Sequence, residues 1–323
     1  KFGGSSVADG ERMKRVAKRV VESAGTENSV VVVVSAMGDT TDILLDLAKQ
    51  LNENPQPREI DMLMATGEQQ SIALLAMAIQ AQGKNAISLT GLQAGVMTDG
   101  VSRKSKILAI DCHRIQEELE QGKIVVVAGF QGGDENGEIN TLGRGGSDTS
   151  AVALAAALDA DMCEIFTDVD GVYTTDPRIV SKAQKIPVIS YDEMLELACA
   201  GAGVLQPRSV ELAKQFGVEI HVRSSFNYNE GTIVQEVGQM QKELEKSMVV
   251  SGVALDDNVL QVTVFDTPDA PGTASKLFTA LADARINVDM IVQSGNRTEH
   301  VNDMSFTVSS DDKDKVIATL DKV

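Results

Sequence analysis

The sequence predicts an α/β protein in two parts: a three-layer α/β/α sandwich around a largely parallel sheet, and then a smaller ferredoxin-like unit. From residue 1 to about residue 234, short β-branched or apolar runs alternate with amphipathic helical patterns. That alternation is typical of a parallel sheet covered by helices on both faces. After about residue 250 the predicted order becomes β-α-β-β-α, which is the ferredoxin-like order without its last strand.

The first part combines helices that are apolar on one face with strands that are apolar on both. Met13, Val16 and Val20 recur at the spacing of one helix face. Residues 30–34 are consecutive valines, so they predict a strand buried on both faces, as in a parallel sheet between helix layers. The same patterns predict further helices at 42–51, 59–82, 113–121, 147–158, 191–200 and 207–216, and further strands at 86–90, 124–128, 162–167 and 219–223.

The second part follows a polar segment, residues 235–250, which is poor in β-branched residues and is interpreted as a linker between domains at 1–234 and 251–323. A ferredoxin-like unit without its last strand would leave an unpaired edge, so this domain is expected to be incomplete. Residues 1–4 resemble a turn after a strand that is not there, so the numbering is expected to begin inside the natural protein. Strands are predicted at 259–265, 287–293 and 303–308, and helices at 271–284 and 311–320.

The composition argues against several classes of function. Acidic residues outnumber basic ones 47 to 29, and the net charge of −18 disfavours nucleic-acid and membrane-surface partners. Cys112, Cys163 and Cys199 form no C-x-x-C pair, and they are interpreted as small buried apolar residues in a reducing compartment. Apolar runs are too short to span a bilayer and no signal peptide is visible, so the location is expected to be cytoplasmic.

Glycine-bearing turns follow predicted strands or open predicted helices at four places: residues 1–6, 35–38, 129–133 and 143–148. In a parallel sheet such turns gather at the carboxyl ends of the strands, where ligands bind. Glycine lets backbone N–H groups approach an anion, and Lys1 and Arg144 add positive charge. Each glycine turn alone is a common feature of loops, but the four together predict an anion-binding site.

The common nucleotide-binding motifs are absent. There is no Walker A sequence, residues 201–203 lack the third glycine of a dinucleotide fingerprint, and the protein-kinase signatures are missing. The scattered His113, His221 and His300 argue against a zinc site or a histidine-based hydrolase, and no protein metal ligand is predicted. A carboxylate nucleophile, with a pKa of about 4, is already ionised at neutral pH and needs no base for phosphoryl transfer.

Several motifs together resemble those of a known family. The segments KFGGSS at 1–6, SAMGDTTD at 35–42, TGE at 66–68, LGRGGSD at 142–148 and TDVDGVYTTDPR at 167–178 stand in the order found in aspartokinases, which have the amino-acid kinase fold. The last segment is similar to an ACT regulatory domain. The resemblance implies transfer of the ATP γ-phosphoryl group to the β-carboxylate of L-aspartate, giving 4-phospho-L-aspartate, with ATP and Mg²⁺ required.

The resemblance also implies residue roles. Lys1 would bridge the phosphoryl group and the β-carboxylate, Arg144 would grip the α-carboxylate, and Asp148 would help to seat the α-amino group. The other substrate contacts implied are Ser35, Thr41, Glu68 and Ser147. The nucleotide contacts implied are Lys1, Gly3, Gly4, Ser5, Thr167, Asp168, Tyr173, Asp176, Arg178 and Gly203. The candidate effector contacts are Asp269, Gly272, Thr273, Asn287, Asp289 and Gln293.

Each role has a structural alternative. Lys1 would otherwise be a solvated lysine at a fraying end, Arg144 an exposed loop arginine, and Glu68 a solvated helix residue. Ser147 would cap the following helix and Thr41 would simply begin one. Residues 167–178 would be a strand end with a proline turn, and the effector contacts would be a turn, a helix start and an ordinary strand. At Gly203 many aspartokinases carry lysine, so one phosphate contact is in doubt.

Two other functions stay open at this point. The chain could phosphorylate a different amino acid, such as glutamate or acetylglutamate, or it could be an amino-acid sensor without catalysis. An ACT-like domain implies an amino-acid effector, lysine and/or threonine, bound between paired copies. A homodimer, or an assembly with a smaller regulatory subunit, is therefore expected.

Overall fold

A computed structural model of the 323-residue chain describes residues 1–236, 252–293 and 301–322. The chain divides into two compact units, Lys1–Ala254 and Leu255–Val323. Most of the predicted linker at 235–250 lies outside the described residues. Its first residue, Gln235, is the last residue of a strand.

The first unit alternates strands and helices, as predicted. Its helices are α1 (Gly10–Ala24), α2 (Thr40–Leu51), α3 (Pro57–Gln80), α4 (His113–Glu120), α5 (Gly146–Ala157), α6 (Tyr191–Cys199) and α7 (Pro207–Phe216). Its strands are β1 (Val31–Val34), β2 (Ala86–Leu89), β3 (Val96–Thr98), β4 (Ile107–Ile110), β5 (Ile124–Ala128), β6 (Gln131–Gly133), β7 (Ile139–Thr141), β8 (Cys163–Thr167), β9 (Val172–Tyr173), β10 (Lys185–Ile186), β11 (Val188–Ser190), β12 (Ile220–Ser224) and β13 (Thr232–Gln235).

The two halves of the central sheet are joined by the short segment around Phe2. Strands β2, β5 and β1 lie on one side, and β8, β12, β13 and β11 lie on the other. Phe2 makes parallel bridges to Val34 of β1 and to Phe166 of β8, and its ring stacks on the Phe166 ring at a centroid distance of 4.5 Å. Every strand pair except β12–β13 is parallel. The largely parallel sheet is thus confirmed.

Helices cover both faces of this sheet. Strand β5 is buried along its whole length. Val125 and Val127 contribute to one apolar core, with α5, α6 and α7, whereas Val126 contributes to the other, with α1 and α3. Each buried valine side chain contributes about 1.5–3 kcal/mol by leaving water. The three-layer α/β/α sandwich is confirmed, because the unbroken apolar strands need a helix layer on each side.

Helix α1 shows how one surface helix is fixed. Asp9 caps its amino end by accepting a hydrogen bond from the Arg12 N–H group. On the buried side, the Arg19 guanidinium donates to the carbonyl oxygens of Ser224, at 2.7 Å, and Asn227, at 2.9 Å. Arg19 therefore ties α1 to the last residue of β12 and to the loop that follows it.

A second, smaller sheet was not predicted. Its order is β4-β3-β6-β7. Residues 131–133 were predicted as part of a glycine turn, but they form β6, and that part of the prediction is wrong. A Cβ atom at Gly132 would lie 2.7 Å from the Val96 carbonyl oxygen, so this glycine allows close packing within the sheet. Strands of three or four residues are too short to show a period in the sequence.

The second unit has the predicted β-α-β-β-α order. Its elements are β14 (Val259–Pro268), α8 (Thr273–Asp283), β15 (Ile291–Gln293), β16 (Val301–Ser309) and α9 (Lys313–Leu320). The strands are antiparallel in the order β14-β16-β15. Leu281, Phe306 and Val316 meet in its apolar core.

The cysteine prediction holds for two of the three residues. Cys112 and Cys163 are buried, whereas Cys199, at the end of α6, is exposed. The interpretation as a buried apolar residue is wrong for Cys199, because it falls on the outer side of its helix. In the described part of the chain, no helix combines the length and apolar character that a bilayer span requires.

Candidate active site

Four strand ends meet at one edge of the central sheet. Phe2, β1, β5 and β8 run parallel, so the residues after them all emerge at the same edge. The Ser35 N–H group donates to the Phe2 carbonyl oxygen at 3.2 Å, and the Gly3 N–H group donates to that of Phe166 at 3.3 Å. The first two predicted glycine turns therefore lie side by side with the end of β8.

Lys1 is held in place on several sides. Its Nζ atom forms an ion pair with Asp148 Oδ1 at 2.6 Å, and both side chains are only 11% exposed. Its carbonyl oxygen accepts a hydrogen bond from the Phe166 N–H group at 2.8 Å, and its backbone nitrogen donates to the Glu164 carbonyl oxygen at 2.6 Å. The alternative of a solvated lysine at a fraying end is wrong.

The first glycine turn has no room for a side chain at Gly4. A Cβ atom at Gly4 would lie 2.7 Å from the Ala36 carbonyl oxygen, and one at Gly3 would lie 3.6 Å from Lys1 Nζ. The Gly38 N–H group donates to the Gly4 carbonyl oxygen at 3.1 Å. Gly3, Gly4 and the exposed Ser5 thus offer backbone groups beside a lysine ammonium.

Glu68 is buried in the middle of α3, with 3% of its surface exposed. Its Oε1 atom accepts a hydrogen bond from the Ala36 N–H group at 3.0 Å, and Oε2 has no partner among the described residues. Burial raises the pKa of Glu68 to about 7. A Cβ atom at Gly67 would lie 2.8 Å from Ala36 Cβ, so the glycine permits this approach. The solvated alternative for Glu68 is wrong.

Arg144 is exposed and lies in a turn between two glycines with positive φ, Gly143 at 79° and Gly145 at 71°. Gly145, and not Ser147, is the N-cap of α5, so the capping alternative for Ser147 is wrong. The left-handed glycine starts the helix earlier, and Ser147 lies buried inside its first turn. A Cβ atom at Gly129 would lie 2.8 Å from Ser147 Oγ. Ser147 and Asp148 therefore lie against the strand ends.

Two further predicted substrate residues lie near the second glycine turn. Ser35 follows β1 and is half-buried. Thr41 is half-buried in the first turn of α2, as its structural alternative predicts. Ligand contacts for both stay predictions.

The predicted nucleotide segment is bonded within itself. Thr167 Oγ1 donates to Asp168 Oδ1 at 3.0 Å. Tyr173 donates its hydroxyl to Asp170 at 2.8 Å, a hydrogen bond that raises the pKa of Tyr173.

Farther along this segment, Arg178 is 80% exposed and pairs with Asp176 at 2.7 Å. Gly203, in another loop, is exposed and has open space where a Cβ atom would lie. The nucleotide contacts of these residues stay predictions.

The candidate effector residues lie at element ends in the second unit. Gly272, with φ at 98°, is the N-cap of α8, and Thr273 donates its hydroxyl to the Ala270 carbonyl oxygen. Asn287 donates to Asp289 at 3.0 Å, ahead of β15. Asp269 and Gln293 are exposed. The turn and helix-start alternatives describe Gly272 and Thr273 correctly. Effector binding by all six residues stays a prediction.

Two polar residues that support the Arg144 turn, Asp61 and Arg208, were not predicted from the sequence. Asp61 is buried on α3, and its carboxylate accepts hydrogen bonds from the Arg103 N–H group at 3.0 Å and from Thr141 Oγ1 at 2.7 Å. Arg208, at the start of α7, donates to the carbonyl oxygens of Leu142 and Ser105, both at 3.0 Å. The position of Asp61 next to Ile60, on an apolar helix face, was a usable signal. Arg208 gave none.

Among the residues that the structure describes, no group of three or more His, Cys, Asp or Glu side chains could hold a metal ion. What the site offers instead is cationic and amide-rich. Lys1 and Arg144 stand in glycine turns, Asp148 pairs with Lys1, and the buried Glu68 accepts from the Ala36 N–H group in the second glycine turn. Such a site can hold anions and, through the carboxylates, an ammonium group.

Comparison with known proteins identifies both units. The model of the amino acid kinase family matches residues 1–224, and a model of the ACT domain matches residues 266–323. The aspartokinase of Bacillus sp. (strain MGA3) is 56% identical over 321 residues, which are 99% of this chain and 77% of the relative. The aspartokinase of Mycolicibacterium smegmatis is 51% identical over 322 residues, which are 99% of this chain and 76% of the relative.

Solved structures agree with this identification. The aspartate kinase from Synechocystis is 46% identical, with a TM-score of 0.66 over 98% of this chain and 53% of that chain. E. coli aspartokinase III in complex with aspartate and ADP is 27% identical, with a TM-score of 0.79 over 95% of this chain and 77% of that chain. The family predicted from the motifs is confirmed: the chain belongs to the aspartokinases, with an amino acid kinase domain followed by an ACT domain.

Proposed function

We propose that this chain transfers the γ-phosphoryl group of ATP to the β-carboxylate of L-aspartate, giving 4-phospho-L-aspartate and ADP. The observation that carries the proposal is the ion pair between Lys1 and Asp148 at the edge where the glycine turns meet. The aspartokinase relatives, and the structure of E. coli aspartokinase III with aspartate and ADP, support the choice of substrates.

The acceptor is held by charges of the right sign. The planar guanidinium of Arg144 suits bidentate binding of the α-carboxylate. Asp148 and Glu68 suit the α-amino group, because both carboxylates are largely buried and close to the strand ends. An ammonium group next to Glu68 would favour its ionised form and so lower the pKa that burial raises to about 7.

The transfer needs no general base. The β-carboxylate of aspartate, with a pKa of about 4, is ionised at neutral pH. One of its oxygens forms the new bond to Pγ, while the bond from Pγ to the β,γ-bridging oxygen breaks and ADP leaves with that electron pair. Lys1 offsets the charge between the two anions, and the backbone of Gly3, Gly4 and Ser5 offers donors to the phosphate oxygens.

Mg²⁺ belongs to the proposal as the partner of the nucleotide. The described residues contain no cage of three carboxylates for it. Mg²⁺ retains water and binds substrate phosphates in many nucleotide sites. We therefore assign its ligands to phosphate oxygens and water, and its contribution is to neutralise phosphate charge.

A coupled assay of ADP release tests the function. With Mg·ATP present, ADP release should depend on L-aspartate and not on glutamate or N-acetylglutamate. Arg144→Ala should raise the aspartate KM about a hundredfold and leave the ATP KM unchanged, because it removes a charged contact to one substrate only. Absence of aspartate-dependent turnover in the unaltered protein would contradict the proposal.

Regulation is proposed through the ACT domain. E. coli aspartokinase III has been solved with lysine and aspartate, which supports lysine as one effector to test. Lysine and threonine should each be titrated into the assay, and sizing in solution should distinguish a homodimer from an assembly with a smaller subunit. The contacts at Asp269, Gly272, Thr273, Asn287, Asp289 and Gln293, together with a cytoplasmic location, belong to this proposal.

A further inference from the structure

The segment before α7 packs against the turn that carries Arg144. The side chain of Gln206 covers this turn, because a Cβ atom at Gly145 would lie 1.9 Å from Gln206 Cγ. Two residues later, Arg208 donates through Nη1 to the carbonyl oxygen of Leu142 at 3.0 Å. Leu142 immediately precedes Gly143 and Arg144, so the guanidinium of Arg208 anchors the start of the turn.

The second hydrogen bond of Arg208 reaches a different segment. Its Nη2 atom donates to the carbonyl oxygen of Ser105 at 3.0 Å, and the Ser105 N–H group donates to the Thr141 carbonyl oxygen at 3.0 Å. The two acceptors of Arg208 are therefore neighbours in space, on adjacent backbone segments. One planar fork ties both segments to α7.

The opposite side of the turn is also supported. A Cβ atom at Gly143 would lie 2.9 Å from the Arg103 carbonyl oxygen. The Arg103 N–H group is bonded to the buried carboxylate of Asp61, which also accepts from Thr141. The turn is thus enclosed by backbone that Asp61 and Arg208 hold from two directions.

Arg208 is poorly replaced by lysine. Its side chain is half-buried, and burial lowers its pKa, so its charge stays in a place where water screens it incompletely. A guanidinium presents two fixed donors to two acceptors, whereas an ammonium is a single point that cannot hold both in the same geometry. The two hydrogen bonds therefore depend on the planar shape of the guanidinium and not only on its charge.

We propose that Arg208 is a positioning residue: by fixing Leu142 and Ser105 it holds the turn in which Arg144 meets the α-carboxylate of the acceptor. The proposal rests on the function proposed above. In this proposal Arg208 contacts the backbone of the turn and not the substrate. Its effect should therefore appear in the binding of molecules that carry an α-carboxylate, and not in the binding of ATP.

The test uses Arg208→Lys and Arg208→Ala in the full chain. Both variants should raise the aspartate KM about tenfold or more while the ATP KM stays within about twofold. β-Alanine is aspartate without its α-carboxylate, so its inhibition constant against aspartate should not change. Added guanidinium should lower the aspartate KM of Arg208→Ala and leave that of Arg208→Lys unchanged.

Arg19→Lys is the matched control, because Arg19 also clamps two carbonyl oxygens, those of Ser224 and Asn227. It should lower Tm at least as much as Arg208→Lys does, because Arg19 is buried and its guanidinium also lies over the Phe166 and Tyr228 rings. It should not raise the aspartate KM selectively. If the Arg208 variants only lower Tm, or if the β-alanine constant rises in parallel with the aspartate KM, the positioning role is wrong.

Amide hydrogen exchange separates this proposal from the proposed function. In Arg208→Lys, exchange at residues 142–146 should speed up at least tenfold, and in Arg19→Lys it should not. If the unaltered protein does not phosphorylate aspartate, the proposed function fails while this measurement still reports on the turn. Unchanged exchange at 142–146 would overturn the positioning role whatever the acceptor is.

Discussion

The two sides of the candidate site are built differently. On the acceptor side, Lys1, Glu68 and Asp148 come from distant parts of the chain, and their charged groups are largely buried. On the nucleotide side, Asp176 and Arg178 come from one short segment, and they pair with each other at the surface. Buried charges depend strongly on their partners, whereas exposed ones are screened by water. The acceptor side should therefore be much more sensitive to single substitutions.

The most severe test of this difference is Lys1→Met. The change removes the cation between the two anions, and activity should fall about a thousandfold or more. It also leaves Asp148 largely buried without its ion partner, so the free energy of unfolding should fall by about 3 kcal/mol. Steady-state kinetics and urea unfolding measure the two effects.

Lys14→Met is the matched control for Lys1→Met. Lys14 also forms an ion pair with a carboxylate, that of Glu11, but the two side chains are 70% and 81% exposed. Neither activity nor the urea midpoint should change. If Lys1→Met kept more than a tenth of the activity, the acceptor side could not depend on this ammonium.

Glu68 offers a test through pH. Burial raises its pKa from 4.5 to about 7, so between these values the folded state holds a proton that the unfolded state has released. The contribution of Glu68 to the free energy of unfolding of the ligand-free protein should therefore fall by about 3 kcal/mol as pH rises from 4.5 to 7, and then level off. Glu68→Gln, which cannot ionise, should lose this decrease. Urea unfolding at several pH values measures it.

Glu118→Gln is the control for the pH test. Glu118 is buried as well, with 4% exposure, but a hydrogen bond from Lys123 and the charge of Arg114 lower its pKa. Its stabilising effect is complete above pH 4.5 and is lost only below it, so the change between pH 5 and 7 should match that of the unaltered protein. An unchanged slope in Glu68→Gln would mean that Glu68 is ionised in the folded state.

The difference between the two sides also explains what the sequence could and could not predict. The valines of β1 and β5 predict buried strands, because an unbroken apolar run of this length is typical of a strand covered on both faces. The glycine turns at strand ends, and the motif resemblance, predicted which residues gather at the site. Burial of Glu68 was not predicted, because it depends on how closely Gly67 lets α3 approach Ala36.

Longer-range contacts leave even less trace in the sequence. The two acceptors of Arg208 lie 66 and 103 residues away, at Leu142 and Ser105, and backbone carbonyl groups have no sequence signature. The small sheet of β3, β4, β6 and β7 was missed for a related reason, since its short strands show no period and lack a valine run like that of β1. Tertiary packing decides both features.

The smallest effect is expected on the nucleotide side, from Arg178→Ala. The guanidinium is 80% exposed and pairs with Asp176 two residues away, so water already screens most of its charge. Tm and the aspartate KM should not change, while the ATP KM should rise about threefold to tenfold if this segment meets phosphate. Lys214→Ala, which removes an exposed pair with Asp192, should change neither KM. A rise in the aspartate KM of Arg178→Ala would erase the distinction, because an exposed local pair would then be controlling a buried site built from distant residues.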